Sequence, residues 1–410
     1  MSFNDASYFQ RLGRAAGLWL VSLSGAASAQ TAWIENWEGE REMLAKRGWA
    51  VQNTYTGSFM NHQRGGMRHG TNWQGLLDVA LLVDLNTVFG WKGAHFHAEA
   101  IWVQGPSASS LSYIGNINEV SNIQGLAATV RPYHVWLEQR LWQEKLRLNV
   151  GWLTLDTDFM VSIPGNLFIN SAYGPIQTWN INFGAPVYPL TALGFLAEWR
   201  VNEQYELQAG VYDGNTGGER GNKRSSNTRL GGDDGAAILL EAARQHSIAG
   251  CAGTAKIGMG WNTGLSTVNA IGLTEHGNGH VYVMLDQTLV PGRGEEAPDV
   301  LTFFTRAGRV LHPGRSVVDL TVEGGFTGRG FRGADQWGVA LTHSRFSGSF
   351  VTATLAGGGT TSSAETALEI TYKTQLTESM SLQPTLQQIY HPQSGAPDAT
   401  VLGLVMTLSF

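Results

Sequence analysis

The stretch A-T-V-L-G-L-V-M-T-L-S-F at residues 399–410 decides the fold class. One set of its alternate positions is bulky and apolar, and consists of Leu402, Leu404, Met406, Leu408 and Phe410. The other set is mostly small or polar, and consists of Val401, Gly403, Val405, Thr407 and Ser409. This period of two, ending on an aromatic residue, predicts the closing strand of a bacterial outer-membrane barrel, with lipid on one side and the lumen on the other. The last strand of a soluble β-sandwich is the alternative.

Residues 1–29 have the pattern of a signal peptide. Arg11 and Arg14 give a basic start, an apolar run follows at residues 15–27, and A-S-A at residues 27–29 is a typical cleavage site. We therefore expect an exported protein. No later apolar run in the sequence approaches the roughly 18 residues that a membrane-spanning helix needs, so any membrane span must be made of strands. A single cysteine, Cys251, excludes an intramolecular disulfide framework.

The composition favours one large all-β domain. Glycine is abundant, at 52 residues, and charged residues make up only 15% of the chain, which is typical of many strands joined by turns. The chain has 27 basic and 33 acidic residues, and removal of Arg11, Arg14 and Asp5 with the signal segment leaves 25 and 32, a net charge of −7. This acid excess argues against nucleic acid as a partner.

Period-two alternation recurs along the rest of the chain. Residues 33–47 form a helical pattern, acidic early and basic late, which predicts a short periplasmic helix within residues 30–47 and a stop at Gly48. Residues 48–410 are predicted to form a transmembrane outer-membrane β-barrel of about sixteen antiparallel strands, with Tyr133 on the outward face of the fourth. The candidate strands lie at about residues 49–59, 77–85, 94–102, 133–141, 146–152, 192–200, 205–213, 235–245, 255–262, 279–289, 300–310, 317–326, 336–346, 365–376, 380–391 and 399–410.

The links between these strands differ in length on the two sides of the predicted barrel. Those at residues 143–145, 202–204 and 377–379 are short, whereas those at residues 105–132, 154–191 and 214–234 are long. Outer-membrane barrels have short periplasmic turns and long extracellular loops. We therefore expect the long links to lie outside the cell, an asymmetry that a soluble sandwich does not explain.

Seven stretches in order give the sequence a resemblance to the carbohydrate-selective porins of the OprB family. They are W-E-G-E-R-E-M-L-A-K-R-G (37–48) with Y-T-G (55–57), D-L-N-T-V-F-G-W-K-G (84–93), W-L-E-Q (136–139), F-I-N-S-A-Y-G (168–174), G-A-P-V-Y-P-L-T-A-L-G (184–194), W-G-V-A-L-T (337–342), and L-E-I-T-Y-K-T-Q-L-T-E-S-M-S-L-Q-P-T-L-Q-Q-I-Y-H-P (368–392). Residues 100–130 and 214–300 match poorly. The resemblance implies a monomeric sixteen-stranded barrel with inward-folded outer loops that passes glucose or similar sugars by diffusion, without a cofactor. Its surroundings would be outer-membrane lipid, lipopolysaccharide and the outer-membrane assembly machinery.

The inward face of strands 2 to 5 is the strongest candidate for the sugar path. It carries Asp78, Asp84, His95, His97, Glu99, His134, Trp136, Glu138, Arg140, Arg147 and Asn149. Sugar hydroxyls both donate and accept hydrogen bonds, so a selective channel needs carboxylates and guanidinium groups together, with aromatic faces for the C–H side of the ring. The alternative is a salt-bridged wall that keeps the lumen polar without binding sugar.

The link at residues 154–191 is too rich in Phe, Tyr, Ile and Trp to extend into water, and we expect it to fold into the lumen as a constriction. A lid that packs over the rim without touching substrate is the alternative. The side chains that would offer hydrogen bonds and a stacking surface are Asp156, Asp158, Asn166, Asn170, Tyr173, Gln177, Trp179 and Asn180.

Other functional motifs are weak. Residues 328–333 fit G-x-G-x-x-G but lie between two strands, and Glu275, His276 and His280 fall in a predicted glycine-rich loop without metal-ligand spacing. An outer-membrane lipase or protease is an alternative, although no spacing singles out a triad. An exporter of anionic polysaccharide is another, but it should line its lumen with arginines. We predict no enzyme and no metal site, but a porin for neutral carbohydrate.

Overall fold

The computed structural model describes residues 39–105, 110–125, 129–218, 222, 234–267, 274–292 and 299–410. Within these ranges sixteen antiparallel strands form one closed barrel, in which each strand pairs with its neighbours in the chain and the last strand pairs with the first. The predicted all-β barrel and its strand number are confirmed. The predicted signal peptide, residues 1–29, and residues 30–38 lie outside the described part of the chain.

Most strands fall where the alternation predicted them. The strands are β1 (Trp49–Arg64), β2 (Gly70–Asp84), β3 (Ala94–Gln104), β4 (Thr129–Leu141), β5 (Leu146–Leu153), β6 (Ala192–Arg200), β7 (Tyr205–Asp213), β8 (Ala236–Ile248), β9 (Cys251–Thr267), β10 (Thr274–Val290), β11 (Leu301–Val310), β12 (Val318–Arg329), β13 (Gln336–Phe346), β14 (Ala364–Thr377), β15 (Met380–Tyr390) and β16 (Ala399–Ser409). The bounds of β6, β7 and β13 match the prediction to the residue. β10 begins at Thr274, ahead of the predicted start at residue 279, so Glu275 and His276 lie on the same strand as His280 and not in a glycine-rich loop.

The described helices are few and short. They are α1 (residues 39–46), α2 (Leu85–Phe89), α3 (Gln177–Asn180) and α4 (Gly348–Ala356). α1 confirms the C-terminal part of the predicted helix, and Gly48, with φ +84°, follows it as expected because a left-handed residue cannot continue a right-handed helix. No helix among the described residues is long and apolar enough to cross a membrane.

The two faces of the strands differ as a membrane barrel requires. β1 and β16 close the cylinder through a register that runs from Thr54 opposite Ser409 to Arg64 opposite Thr400. The lumen face is largely small or polar. Large apolar side chains remain exposed on the outer surface, among them Phe59, Trp73, Val79, Trp102, Val150, Phe195, Ile257, Val283, Leu341 and Leu402. Apolar side chains toward lipid and polar ones toward the lumen are the dyad pattern of outer-membrane barrels.

Two long links fold into the barrel, and we call residues 110–125 the first inner loop and residues 154–191 the second inner loop. In the first, the Ile117 amide donates to Glu365 Oε2 on β14 at 2.8 Å. In the second, the Ile169 amide donates to Glu369 Oε1 on β14 at 2.9 Å, and the Met160 amide donates to Glu241 Oε2 on β8 at 3.0 Å. Because these carboxylates face the lumen from widely separated strands, both loops lie inside the cylinder.

Glycines on the inner wall make room for the second inner loop. A Cβ atom added to Gly260 on β9 would lie 2.3 Å from the Trp179 ring, and one added to Gly308 on β11 would lie 2.5 Å from Thr178 Oγ1. Such separations are far below van der Waals contact, so only glycine permits this approach of loop to wall. The large side chains of the loop are thereby seated against the strand backbone.

A bulge in β4 changes the face of one aromatic residue. The β3–β4 register shifts between Ala98 and Ala100, opposite Tyr133 and His134. Tyr133 was predicted to face outward, and this prediction is wrong, because the bulge turns its ring inward, where it packs with Ile101 and Val103. Bulges insert one residue and re-aim the side chains beside it, which strict alternation cannot anticipate.

Candidate functional site: a polar belt on the inner wall

One row of the barrel wall carries a continuous chain of polar side chains, which we call the polar belt. Its members are Glu138, Arg140, Arg147, Asp158, Glu198, Gln208, Glu241 and Lys256. The strand register explains the row, because Arg140 pairs with Arg147, Arg147 with Glu198, and so on through Gln208 and Glu241. Directly opposed residues of neighbouring strands share one face, so five strands contribute side chains to one row on the inner wall.

The first half of the belt is centred on Arg147 of β5. Its Nη2 atom donates to Asp158 Oδ1 of the second inner loop and to Glu198 Oε2 of β6, both at 2.6 Å. On β4, Arg140 Nε donates to Glu138 Oε1 at 2.7 Å. These are short, charge-assisted hydrogen bonds of the stronger kind. Arg147 therefore ties the start of the second inner loop to the wall.

The second half is centred on Glu241 of β8. Gln208 Nε2 donates to Glu241 Oε1 at 2.9 Å and to the backbone oxygen of Asp158 at 2.8 Å. Lys256 Nζ lies 3.0 Å from the same carboxylate oxygen, and the Tyr282 hydroxyl donates to Glu241 Oε2 at 2.7 Å. Glu241 thus joins β7, β8, β9 and β10.

Exposure separates the belt into two kinds of residue. Five side chains reach the lumen, with exposed fractions of 19% for Arg140, 21% for Arg147, 15% for Asp158, 16% for Glu198 and 17% for Lys256. Glu138 and Glu241 are only 3% and 1% exposed. The belt as defined holds three cations and four carboxylates, so its charges nearly balance. The buried carboxylates orient the exposed cations, and the exposed groups are those that a solute can touch.

The predicted residues of strands 2 to 5 fall into two groups. Glu138, Arg140 and Arg147 belong to the belt, as does Asp158 of the second inner loop, and His95 Nδ1 lies 3.7 Å from Glu138 beside it. A second group lies further along β2, β3 and β4 and has little exposure: it consists of Asp78, His97, Glu99, His134 and Trp136. Within this group the His97 and Trp136 rings stack with their centroids 4.7 Å apart.

Several predicted pore-lining residues are buried. Asn170 is 1% exposed and donates to Gln387 Oε1 at 2.9 Å, and Trp179 is 0% exposed and packs on His280 of β10. Asn149 and Glu138 are also buried. These side chains hold the loop and wall together and offer no surface for a sugar, because the second inner loop turns its polar and aromatic groups toward the strands.

Asp156 of the second inner loop lies beneath the lumen surface. Its Oδ2 atom accepts from the Tyr188 amide at 3.2 Å. Burial raises the pKa of the Asp156 carboxyl above its ordinary value. This carboxyl therefore helps to fold the loop.

Half of the belt was not predicted from the sequence. Glu198, Gln208, Glu241 and Lys256 were not chosen, although all lie on strands that the alternation had located. The same inward parity that selected strands 2 to 5, continued through strands 6 to 9, would have found them. The buried ion pair between Arg306 Nη2 and Glu323 Oε2, at 2.8 Å, was missed for the same reason.

Comparisons with known proteins agree with this geometry. The sequence model described as the carbohydrate-selective porin, OprB family, matches residues 68–410. A high-pH structure of Pseudomonas putida OprB is 18% identical, covers 92% of this chain and 97% of its own, and has a TM-score of 0.83. The low-pH structure of that protein is 15% identical over 96% and 100%, with a TM-score of 0.59. A mutant of the Rh. blastica porin is 12% identical over 88% and 100%, with a TM-score of 0.52. No curated protein sequence gave a significant match.

A closed sixteen-stranded barrel with an apolar outer face, a polar inner wall and loops folded into its lumen is an outer-membrane porin. That class of protein is a channel. The family match covers most of the chain, and the protein belongs to the OprB family of carbohydrate-selective porins. It is accordingly a sugar porin of the bacterial outer membrane.

Proposed function

We propose that small neutral sugars, glucose or molecules of similar size, diffuse passively along the polar belt into the periplasm. The observation that supports this proposal is the presence of exposed cations and exposed carboxylates in one row, with Arg147 bonded to both Asp158 and Glu198. The protein acts as a monomer in outer-membrane lipid and lipopolysaccharide after insertion by the assembly machinery, and catalyses no reaction. Residues 1–29 are removed on export, and residues 30–47 remain in the periplasm.

The belt suits a polyol because each sugar hydroxyl is both donor and acceptor. A guanidinium group offers only donors and a carboxylate only acceptors, so a sugar that lies across Arg147 and Glu198 replaces its lost water contacts with both kinds. Several weak contacts along a row also permit escape, which conduction requires as much as entry. Arg140 and Lys256 at either end extend the row beyond a single binding position.

The near balance of charge favours neutral solutes over ions. Three cations and four carboxylates within one row leave no strong field of either sign to attract an ion. The same balance disfavours the export of an anionic polysaccharide, since the carboxylates outnumber the cations. An outer-membrane enzyme has no observation in its favour, because the family and the fold are those of channels.

The test replaces one exposed cation at a time, with Arg147→Gln and Arg140→Gln. Each variant leaves its carboxylate partners uncompensated in a narrow lumen, so the channel should become more cation-selective and lose its preference for glucose. The readouts are single-channel reversal potentials in a salt gradient, and liposome swelling with glucose, arabinose, a disaccharide and an amino acid.

The matched control is Arg345→Gln. Arg345 Nε donates to Asp319 Oδ1 at 2.7 Å, but its side chain is 45% exposed and lies outside the belt. We expect this control to leave both selectivities unchanged. If Arg147→Gln and Arg140→Gln insert normally and keep the wild-type glucose rate, the belt only braces the wall and the proposal is wrong.

A further inference from the structure

A histidine cluster lies outside the polar belt, on the inner wall of β2, β3 and β4. His97 Nε2 lies 3.1 Å from Glu99 Oε2, and His134 Nδ1 lies 2.7 Å from the same oxygen. The Asp78 carboxyl is hydrogen-bonded to Glu99 and is mostly buried. We propose that His97, Glu99 and His134, with Asp78 as a fourth ligand, bind a divalent transition-metal ion of the Zn²⁺ class.

Two features of the strands bring these side chains together. His97 and Glu99 are two residues apart on β3, so their side chains share one face. His134 comes from the bulge in β4, opposite the register shift between Ala98 and Ala100. The bulge turns His134 toward Glu99, and such re-aiming of a side chain is a common use of bulges beside functional sites.

The ligand atoms are close enough to share one ion. His97 Nε2, a Glu99 carboxylate oxygen and His134 Nδ1 all lie within 4.8 Å of one another. A zinc ion binds imidazole nitrogen and carboxylate oxygen at about 2.0–2.2 Å in a tetrahedron, so small side-chain rotations would bring these atoms to one centre. The ion would take the place of the close contacts that now join the two imidazoles to the carboxylate.

Burial and charge both favour an ion over a sugar at this place. The side chains of His97, Glu99 and His134 are only 8%, 10% and 10% exposed, which leaves no surface for a hexose. Two carboxyl groups in contact within a poorly solvated wall repel each other when both are ionised. A divalent cation removes that repulsion, and the two neutral imidazoles complete a set of four ligands.

The surroundings of His134 resemble the outer shell of a metal site. His134 Nε2 lies 3.1 Å from Thr154 Oγ1, and the His97 ring stacks on Trp136. Ligating histidines usually bond through their second nitrogen to an oxygen, which fixes the ring orientation. Thr154 is the first residue of the second inner loop, so an ion here would also steady the point where that loop leaves the wall.

The donor set indicates which ions would bind. Two imidazole nitrogens suit Zn²⁺, Cu²⁺ or Ni²⁺, whereas Mg²⁺ and Ca²⁺ prefer sites made entirely of oxygen. We therefore expect selective binding of the first group by the intact barrel. This inference does not depend on sugar transport, since no member of the polar belt belongs to the cluster.

The experiment measures binding of ZnCl₂ and MgCl₂ by calorimetry to the full-length protein, purified in detergent. Wild type should bind one Zn²⁺ per barrel and no Mg²⁺ at the same concentration. Because a lost ligand costs at least as much as the 10–100-fold typical of a lost outer-shell partner, His97→Gln and His134→Gln should each lower Zn²⁺ affinity by about 100-fold or more. The control is His343→Gln on β13, far from the cluster. His343 Nδ1 lies 2.8 Å from Thr366 Oγ1 of β14, and this variant should bind Zn²⁺ as wild type does.

Cobalt spectroscopy of the wild-type barrel gives a second readout that needs no variant. Co²⁺ bound by two nitrogens and two oxygens in a tetrahedron should produce intense visible absorption that ZnCl₂ abolishes. Asp78→Asn should weaken this band while leaving the barrel folded, as judged by its heat-dependent mobility in gels. Wild-type protein that shows neither the cobalt band nor Zn²⁺ binding above the His97→Gln/His134→Gln double variant overturns the inference.

Discussion

Arg306 of β11 holds the second inner loop in the lumen, and its replacement should release that loop. The Arg306 guanidinium donates to the backbone oxygens of Met160, Gly174 and Ala172 at 2.9, 2.7 and 3.2 Å. It also donates to Glu323 Oε2 on β12 at 2.8 Å, and neither side chain of this pair is exposed. The change Arg306→Met removes all four contacts while keeping an unbranched apolar stem.

The expected loss of free energy is large compared with what keeps a loop in place. Leaving one partner of a buried ion pair uncompensated costs about 3–5 kcal/mol, and each carbonyl that loses a charged donor adds about 1.5 kcal/mol. Even with incomplete additivity, the seated loop loses on the order of 5 kcal/mol relative to the released loop. A difference of about 5.5 kcal/mol moves a two-state equilibrium from 99:1 to 1:99.

The assay is planar-bilayer conductance together with liposome swelling for glucose and a trisaccharide. A released loop leaves a wider lumen, so Arg306→Met should conduct more ions and admit the trisaccharide, which we expect wild type to exclude. Arg309→Met on the same strand is the matched control, because Arg309 is exposed. The double variant Arg306→Met/Glu323→Leu removes both charges and should restore part of the size limit, since an apolar pair can replace a buried ion pair at little cost.

One outcome refutes this reasoning. If Arg306→Met inserts normally and keeps the wild-type conductance and the wild-type exclusion of the trisaccharide, the loop does not depend on this arginine. The backbone bonds to Glu241 and Glu369 would then be sufficient by themselves.

Two further predictions concern the ends of the barrel. Asp335, in the turn before β13, accepts from the Tyr372 hydroxyl at 2.7 Å and from Thr374 Oγ1 at 2.9 Å. Asp335→Ala should therefore lower the unfolding free energy by about 1–3 kcal/mol. Urea unfolding monitored by tryptophan fluorescence measures this change, and an unchanged midpoint would contradict the prediction. Trypsin added to intact cells should cut within residues 214–234, a predicted outer link with several Lys and Arg residues, most of which lies outside the described residues. Cutting only after the outer membrane is permeabilised would reverse the predicted orientation.

The strands were the predictable part of this protein, because a barrel strand has lipid on one face and the lumen on the other, and its sequence alternates between apolar and polar residues accordingly. In A-L-G-F-L-A-E-W-R, residues 192–200, outward Phe195 and Trp199 alternate with inward Leu196 and Glu198, and the predicted bounds of β6 are those of the structure. Every strand pairs with its neighbours in the chain, whether the link between them is short or long, so strand order followed as well. Fold class and family therefore needed no tertiary information.

The site was less predictable, because its residues meet through the barrel and not along the chain. Arg147 and Asp158 bond across 11 residues and Arg147 and Glu198 across 51, distances over which no local pattern acts. Trp179 was predicted to offer a stacking surface to the solute because it is aromatic. It is instead buried, because Gly260 lies opposite it on β9 and lets the ring pack against the wall. Only the packed structure distinguishes an aromatic residue that faces the solute from one that anchors a loop.

The glycines beneath the second inner loop imply that the width of this channel depends on wall residues that lie behind the loop and do not touch the solute. Trp179 and Thr178 can approach the strand backbone only because Gly260 and Gly308 lack side chains. The loop therefore lies closer to the wall and leaves more of the lumen open to the solute. A single alanine at either position would push the loop toward the axis and narrow the passage, although no residue in contact with the solute had changed. Size selection and chemical selection are therefore encoded at different positions, and one can drift in evolution while the other stays constant.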